Sequence, residues 1–189
     1  MVQLLSSGAP MPDGHNEGVR GLRRAPGLPD DVRRALELTG GERVLAAAAD
    51  ADGRWHVGTD RALHVANGSG WHTVAWERVD RARFDDETGR LHVVEVVQLG
   101  EPEPTHELAL VEPQRLLGLV RDRVTASVLL SRNVPVEGSR GVKVIARRAP
   151  VGGPVEWSFW LSRGLQPDDP QVRAAIDQGL ADAEAELGF

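Results

Sequence analysis

The sequence predicts an α+β protein in which about seven short antiparallel strands form a sandwich or barrel closed by a C-terminal helix, followed by a β-hairpin and a terminal amphipathic helix. Between residues 43 and 111, apolar and polar residues alternate over short runs, as they do in half-buried strands. Turn-forming sequences such as Asn-Gly-Ser-Gly at residues 67–70 separate these runs. From Pro113 the apolar spacing becomes helical, which indicates the closing helix, over residues 113–131.

Composition limits the classes of protein to which this chain can belong. The 189 residues include no cysteine, which excludes disulfides, thiolate metal sites and cysteine nucleophiles. No apolar run approaches the ~20 residues that a membrane span requires, and the N-terminus lacks the features of a signal peptide. We therefore expect a cytoplasmic protein. Its net charge is −6, yet residues 113–163 carry nine basic against three acidic side chains.

Three regions follow one another along the chain. Residues 1–27 lack any apolar period and are expected to be a disordered lead-in. Residues 28–133 are expected to form a short helix, opening at Pro29, and then the strand domain. Residues 138–189 are expected to form a β-hairpin and a helix packed on that domain, because an isolated hairpin is only marginally stable.

The second and third strands have a predicted register. Their apolar residues are expected to share one face: Trp55, Val57, Leu63 and Val65. That arrangement requires Gly58 to face Ala62 across a three-residue loop, since a slip of one residue would turn an apolar set to solvent. His56 would then lie opposite His64 on the outer face. We interpret this pair as solvated strand residues, with a metal or pH-sensitive site as the alternative.

Two segments resemble known domains. The strand-turn-strand GTDRALHV at residues 58–65 and the hairpin WERVDRARFDDETGRLHV at residues 76–93 are similar to segments of bacterial pleckstrin-homology-like (PH-like) domains. The resemblance covers residues 43–131. It implies a bent seven-stranded sandwich plugged by one helix, and a binding or scaffolding role more often than an enzymatic one.

Lipid-binding members of that family carry Lys and Arg on the first two strands and on the loop between them. Here the matching segment, residues 44–57, offers only Arg54 as a cation, and its loop carries Asp50 and Asp52. The local charge has the wrong sign for inositol phosphates. Phosphoinositide binding is therefore not expected.

The second hairpin also has a predicted register. Alternation over residues 142–147 and 155–161 pairs Val144 with Phe159. The same register places Arg147 opposite Glu156 and Lys143 opposite Trp160.

No motif indicates catalysis. The six histidines do not form HExxH or another close metal-ligand grouping, and His106, which shares a face with Leu108 and Leu110, is expected to be a hydrogen-bonded core residue. Nucleophile elbows and phosphate-binding glycine loops are also lacking. We therefore expect no catalytic residue, no metal and no cofactor.

The sequence favours a non-catalytic protein-interaction or scaffolding module whose partner is a protein. The expected interface is the edge and the basic face of the second hairpin, since edge strands and exposed tryptophans favour recognition. Its candidate residues are Lys143, Arg147, Trp160 and Arg163. The alternative is binding of an anion or a nucleic acid through the basic region 113–163.

Overall fold

The computed structural model describes residues 27–68 and 70–188. The predicted disordered lead-in falls, except for Gly27, outside these residues. Within them the chain forms ten strands in three antiparallel sheets, three α-helices and one short 3-10 helix. The α+β class is confirmed, whereas the predicted seven-stranded sandwich or barrel closed by a C-terminal helix is wrong. The first seven strands divide between two separate sheets, and three more strands form a third sheet.

The first two sheets enclose the main core. The first contains, in this order, β1 (Val44–Ala49), β2 (Trp55–Thr59), β3 (Ala62–Asn67) and β4 (Gly70–Ala75). The second contains, in this order, β5 (Val79–Asp85), β6 (Arg90–Glu95) and β7 (Thr105–Ala109). Residues of both sheets pack with helix α2 (Gln114–Ser127), for example Leu63, Leu91 and Leu116.

The predicted register of β2 and β3 is wrong by one residue. Gly58 pairs with Leu63, not with Ala62, so that the loop contains only Asp60 and Arg61. The prediction assumed that one face of this sheet meets solvent, but apolar residues cover both faces. Leu63 faces the main core, whereas Val57 faces a second cluster that is built from the segment around helix α1 (Asp30–Ala35).

The predicted pair of solvated histidines is therefore not formed. His56 and His64 are only 2% and 4% exposed, and they lie on opposite faces of the sheet. His56 lies 3.5 Å from the Asp50 carboxylate. His64 contacts Glu42, whose carboxylate faces the first sheet. Glu42 belongs to the segment around helix α1 that covers this sheet, residues 28–43, which is called the covering segment below.

Glu42 fastens the covering segment to the sheet. Its Oε1 accepts a hydrogen bond of 2.6 Å from Thr59 Oγ1 and lies 3.0 Å from His64 Nε2, while its Oε2 accepts hydrogen bonds from Thr39. Burial raises the pKa of Glu42, but these hydrogen bonds outweigh it and lower the pKa to about 2. Residues 39–43 are thus attached to the outer face of the first sheet.

The third sheet begins earlier than predicted. Helix α2 ends at Ser127, not at residue 131, because the apolar run from Val128 continues as a long strand that pairs with the hairpin. The sheet has the order β10 (Val155–Leu161), β9 (Arg140–Arg148) and β8 (Val128–Glu137). Helix α3 (Pro170–Leu187) packs on one face of it. None of the helices in the described ranges is long and apolar enough to cross a membrane.

Candidate functional site

The predicted register of the second hairpin is confirmed. Val144 pairs with Phe159, Arg147 with Glu156 and Lys143 with Trp160. Because successive side chains alternate between faces, Val144 and Phe159 pack in the cluster with α3, and Lys143 and Trp160 lie on the opposite face. The candidate surface is therefore the face of the third sheet that points away from α3.

Trp160 is the aromatic centre of this face. It is 39% exposed, and the only other exposed large apolar side chains among the described residues are Val111 and Val151. Its indole Nε1 donates a hydrogen bond of 3.0 Å to Asp80 Oδ1. The guanidinium carbon of Arg81 lies 4.9 Å from the ring centroid, which is a cation–π distance. The ring is thus held in place while part of it stays accessible.

Arg147 has a different environment from the one its register suggests. Its side chain is 3% exposed and turns toward the second sheet, where it donates to the Asp80 carbonyl oxygen at 2.8 Å and to Ser127 Oγ at 3.3 Å. Burial lowers the pKa of the guanidinium, and the charge of Asp80, 3.7 Å away, opposes that shift. Arg147 therefore joins the third sheet to β5 and is not accessible to a partner.

The remaining two candidate residues, Lys143 and Arg163, lie apart from each other. Lys143 and Trp160 line a cleft of about 520 Å³, together with Arg140 and Pro135. Arg163 is exposed, but it lies beyond the end of β10 and is not part of the cleft lining. The structure therefore brings together two of the four predicted residues, Lys143 and Trp160.

A second groove follows the other side of Trp160. It has a volume of about 270 Å³ and lies between β10 and residues 95–103, which run from the last residue of β6 into the segment that links β6 to β7. Its charged lining residues are all acidic: Asp80, Glu95, Glu101 and Glu103. Trp160 thus separates an acidic groove from a basic cleft.

The acidic groove runs along the open edge of β10. Ser162 N donates a hydrogen bond of 2.9 Å to Gly141 O, so Ser162 and Gly141 are a hydrogen-bonded pair that continues the β9–β10 ladder. Since such pairs alternate in antiparallel strands, the peptide groups of four β10 residues point away from β9. These residues are Val155, Trp157, Phe159 and Leu161. No hydrogen bond to their backbone atoms comes from the rest of the described chain.

A cluster of three polar side chains lies near this groove. His72 on β4 and His106 on β7 both direct Nε2 at the same carboxylate oxygen, Oε1 of Glu95, at 2.7 and 2.6 Å. The two imidazole centroids are 4.7 Å apart. Burial raises the pKa of Glu95, but the hydrogen bonds with His106 and His72 outweigh it, so that its pKa is below the usual value.

No pattern in the sequence indicates this cluster. Its members are up to 34 positions apart and belong to two different sheets, so that no local spacing brings them together. His106 is hydrogen-bonded, as expected, but it is only partly buried and does not belong to the main core, and its partner was not predicted. Only the relative placement of β4 and β6 would have indicated the group.

No family model, curated protein or solved structure matches this chain. The resemblance of residues 43–131 to PH-like domains therefore stays a prediction, and we base no function on it.

Proposed function

We propose that this protein is a non-catalytic protein-interaction module, which binds an extended segment of a partner protein as an additional strand on the open edge of β10. The observation that carries this proposal is the groove along that edge, where the peptide groups of Trp157, Phe159 and Leu161 have no partner in the described chain. Unpaired strand edges are templates for strand addition, in which backbone hydrogen bonds supply affinity and side-chain pockets supply specificity.

The charge of the groove selects the class of segment. Four carboxylates line it and no basic side chain does, although Arg81 contacts two of them, Asp80 and Glu103. Glu101 has no ion-pair partner within the described ranges. We therefore expect the segment to carry Lys or Arg, because complementary charge favours encounter and fixes register.

The alternative, binding of an anion or nucleic acid through region 113–163, has less support. Arg147 is buried, and Arg132 pairs with Asp182 and Glu186 of α3. The remaining support for this alternative is the cleft lined by Arg140 and Lys143. Arg140 also forms an ion pair with Glu137. As the compartment we propose the cytoplasm, which is supported by the lack of cysteine.

Selection from a random decapeptide display library, with the tag-free protein as bait, tests the proposal. We expect selected peptides to be rich in Lys and Arg. Amide exchange followed by NMR should show new protection at Trp157, Phe159 and Leu161 on binding, since these N–H groups would join a ladder. Methylating alternate backbone nitrogens of the peptide should abolish binding in one phase of the alternation and spare it in the other.

Matched variants complete the experiment. Trp160→Ala should weaken the affinity for the selected peptide at least about tenfold, as truncation of a central aromatic side chain does in other interfaces. Val151→Ala, which removes another exposed apolar side chain outside the groove, should leave affinity unchanged. Peptides that bind without protecting the β10 amides would contradict strand addition. Salt-sensitive retention on heparin, with no peptide selected, would favour the anion-binding alternative.

A further inference from the structure

The cluster of His72, Glu95 and His106 lies where the core between the first two sheets reaches the surface. His72 pairs with Val65 across β3 and β4, and His106 pairs with Val93 across β6 and β7. Val65 and Val93 both belong to the main core, so the two histidines extend from the facing sides of two different sheets. Their side chains are 44% and 19% exposed, and that of Glu95 is 15% exposed. The cluster is thus fixed by the fold and is still open to solvent.

The geometry of the cluster is suited to binding a cation. The three donor atoms, two imidazole nitrogens and one carboxylate oxygen, all lie within 4.8 Å of one another, and no other such group occurs in residues 27–68 and 70–188. Both imidazoles converge on one oxygen, Oε1, so that three potential ligand atoms lie close together. A central ion would satisfy all three at once.

We propose that His72, Glu95 and His106 form a binding site for a divalent transition-metal ion, with Zn²⁺ as the best fit. Imidazole and carboxylate are borderline and hard donors that suit Zn²⁺, and the chain contains no thiolate that would favour softer ions. Three protein ligands leave a fourth tetrahedral position for water or for a donor from a partner.

The adjustment needed for coordination is small. Ligands about 2.0–2.2 Å from a tetrahedral zinc ion are roughly 3.3 Å from one another. The present N–O separations are 2.7 and 2.6 Å, so each must widen by roughly 0.6 Å, which small rotations of the His72 ring and of the Glu95 side chain can supply. Neither imidazole Nδ1 has a hydrogen-bond partner within the described chain. We therefore expect a dissociation constant on the order of 1 µM, weaker than that of a site with full outer support.

Calorimetric titration of tag-free, EDTA-treated protein with ZnCl₂ tests the site. We expect one zinc ion per chain, and a visible absorption band of low-symmetry coordination when CoCl₂ replaces zinc. His72→Ala should weaken binding at least about tenfold, and Glu95→Gln, which retains the size of the side chain, should do the same. Zinc should also raise the thermal midpoint of the wild type but not of these variants.

His92→Ala is the matched control. His92 lies on β6, the strand that also carries Glu95. Its side chain is 33% exposed and approaches a single carboxylate, that of Glu107, at 3.6 Å. The His92→Ala variant should bind zinc like the wild type. Trp160→Ala should also bind zinc like the wild type, and this result would distinguish the metal site from the proposed peptide groove. Absence of saturable binding by the wild type would overturn the proposal. Equal loss in His72→Ala and His92→Ala would also overturn it, since zinc would then bind to scattered histidines.

Discussion

The carboxylate of Glu42 shows how one buried residue can hold a whole segment of this protein. Its side chain is 4% exposed and receives hydrogen bonds from residues on both sides, Thr39 in its own segment and Thr59 on β2. Because its pKa falls from 4.5 to about 2 on folding, the ionised form is favoured in the folded state. The stabilisation is therefore fully present above pH 4.5 and is lost as the pH falls toward 2.

Glu42→Gln should lower the free energy of unfolding at pH 7 by about 2–3 kcal/mol, because the amide cannot carry the charge that these donors stabilise. The difference from the wild type should shrink below pH 4.5 and almost vanish near pH 2. Urea unfolding at a series of pH values measures it. Glu37→Gln, at an exposed position in the same segment, should show little difference at any pH. A gap between Glu42→Gln and the wild type that does not change with pH would contradict this account.

Single residues were predictable only where their partners were near in sequence. The pairing of Lys143 with Trp160 follows from alternation within one hairpin, and the structure confirms it. The burial of His64 could not be predicted, because the covering of the second face of the first sheet by the α1 segment leaves no periodic signal in β2 or β3. His56 is buried on the opposite, core-facing side, because β2 directs Val57 and not His56 toward that segment. The cluster of His72, Glu95 and His106 depends in the same way on the placement of two sheets.

At the scale of elements, helix α3 and the third sheet approach each other closely at one glycine. A Cβ atom on Gly179 would lie 2.6 Å from Val134 Cγ2 and 2.7 Å from Val144 Cγ2, on β8 and β9. These methyl groups belong to β-branched side chains within a sheet and cannot move away cheaply. The terminal helix and its apolar stripe could be predicted from sequence, but β8 could not, since the helical spacing of residues 113–131 continues past the point where α2 ends.

Gly179→Ala should lower the free energy of unfolding by about 1–3 kcal/mol, because the added methyl group forces α3 away from the sheet. Gly118→Ala is the matched control in α2, where nothing lies within 4 Å of the new Cβ. It should raise stability by up to about 1 kcal/mol, as expected for glycine replaced in a helix. Thermal or urea unfolding of both variants measures the effects. Opposite signs are expected, and equal stabilisation of both would mean that α3 does not pack on β8 and β9 as described.

At the scale of the whole molecule, Asp80 is the point at which the third sheet joins the rest. Its carbonyl oxygen accepts from Arg147, and its carboxylate accepts from Trp160 and from Arg81. Asp80 and Arg147 are 6% and 3% exposed, so that their charges depend on each other and on these hydrogen bonds. The hairpin could be predicted from sequence together with its register, but its attachment could not, since residues 80 and 147 share no local pattern.

Arg147→Met should therefore lower the free energy of unfolding by about 3 kcal/mol, because Asp80 would lose its buried cationic neighbour and its carbonyl oxygen would lose the donor that it has in Arg147. Arg148→Met, at the next and exposed position of β9, should change it by less than about 0.5 kcal/mol. Urea unfolding followed by both tryptophan fluorescence and far-UV circular dichroism measures the two variants. The five tryptophans occur in the first sheet, the 3-10 helix and the third sheet, so noncoincident transitions in Arg147→Met would show the third sheet unfolding separately. Equal stability of the two variants would mean that Asp80 and Arg147 do not hold the sheets together.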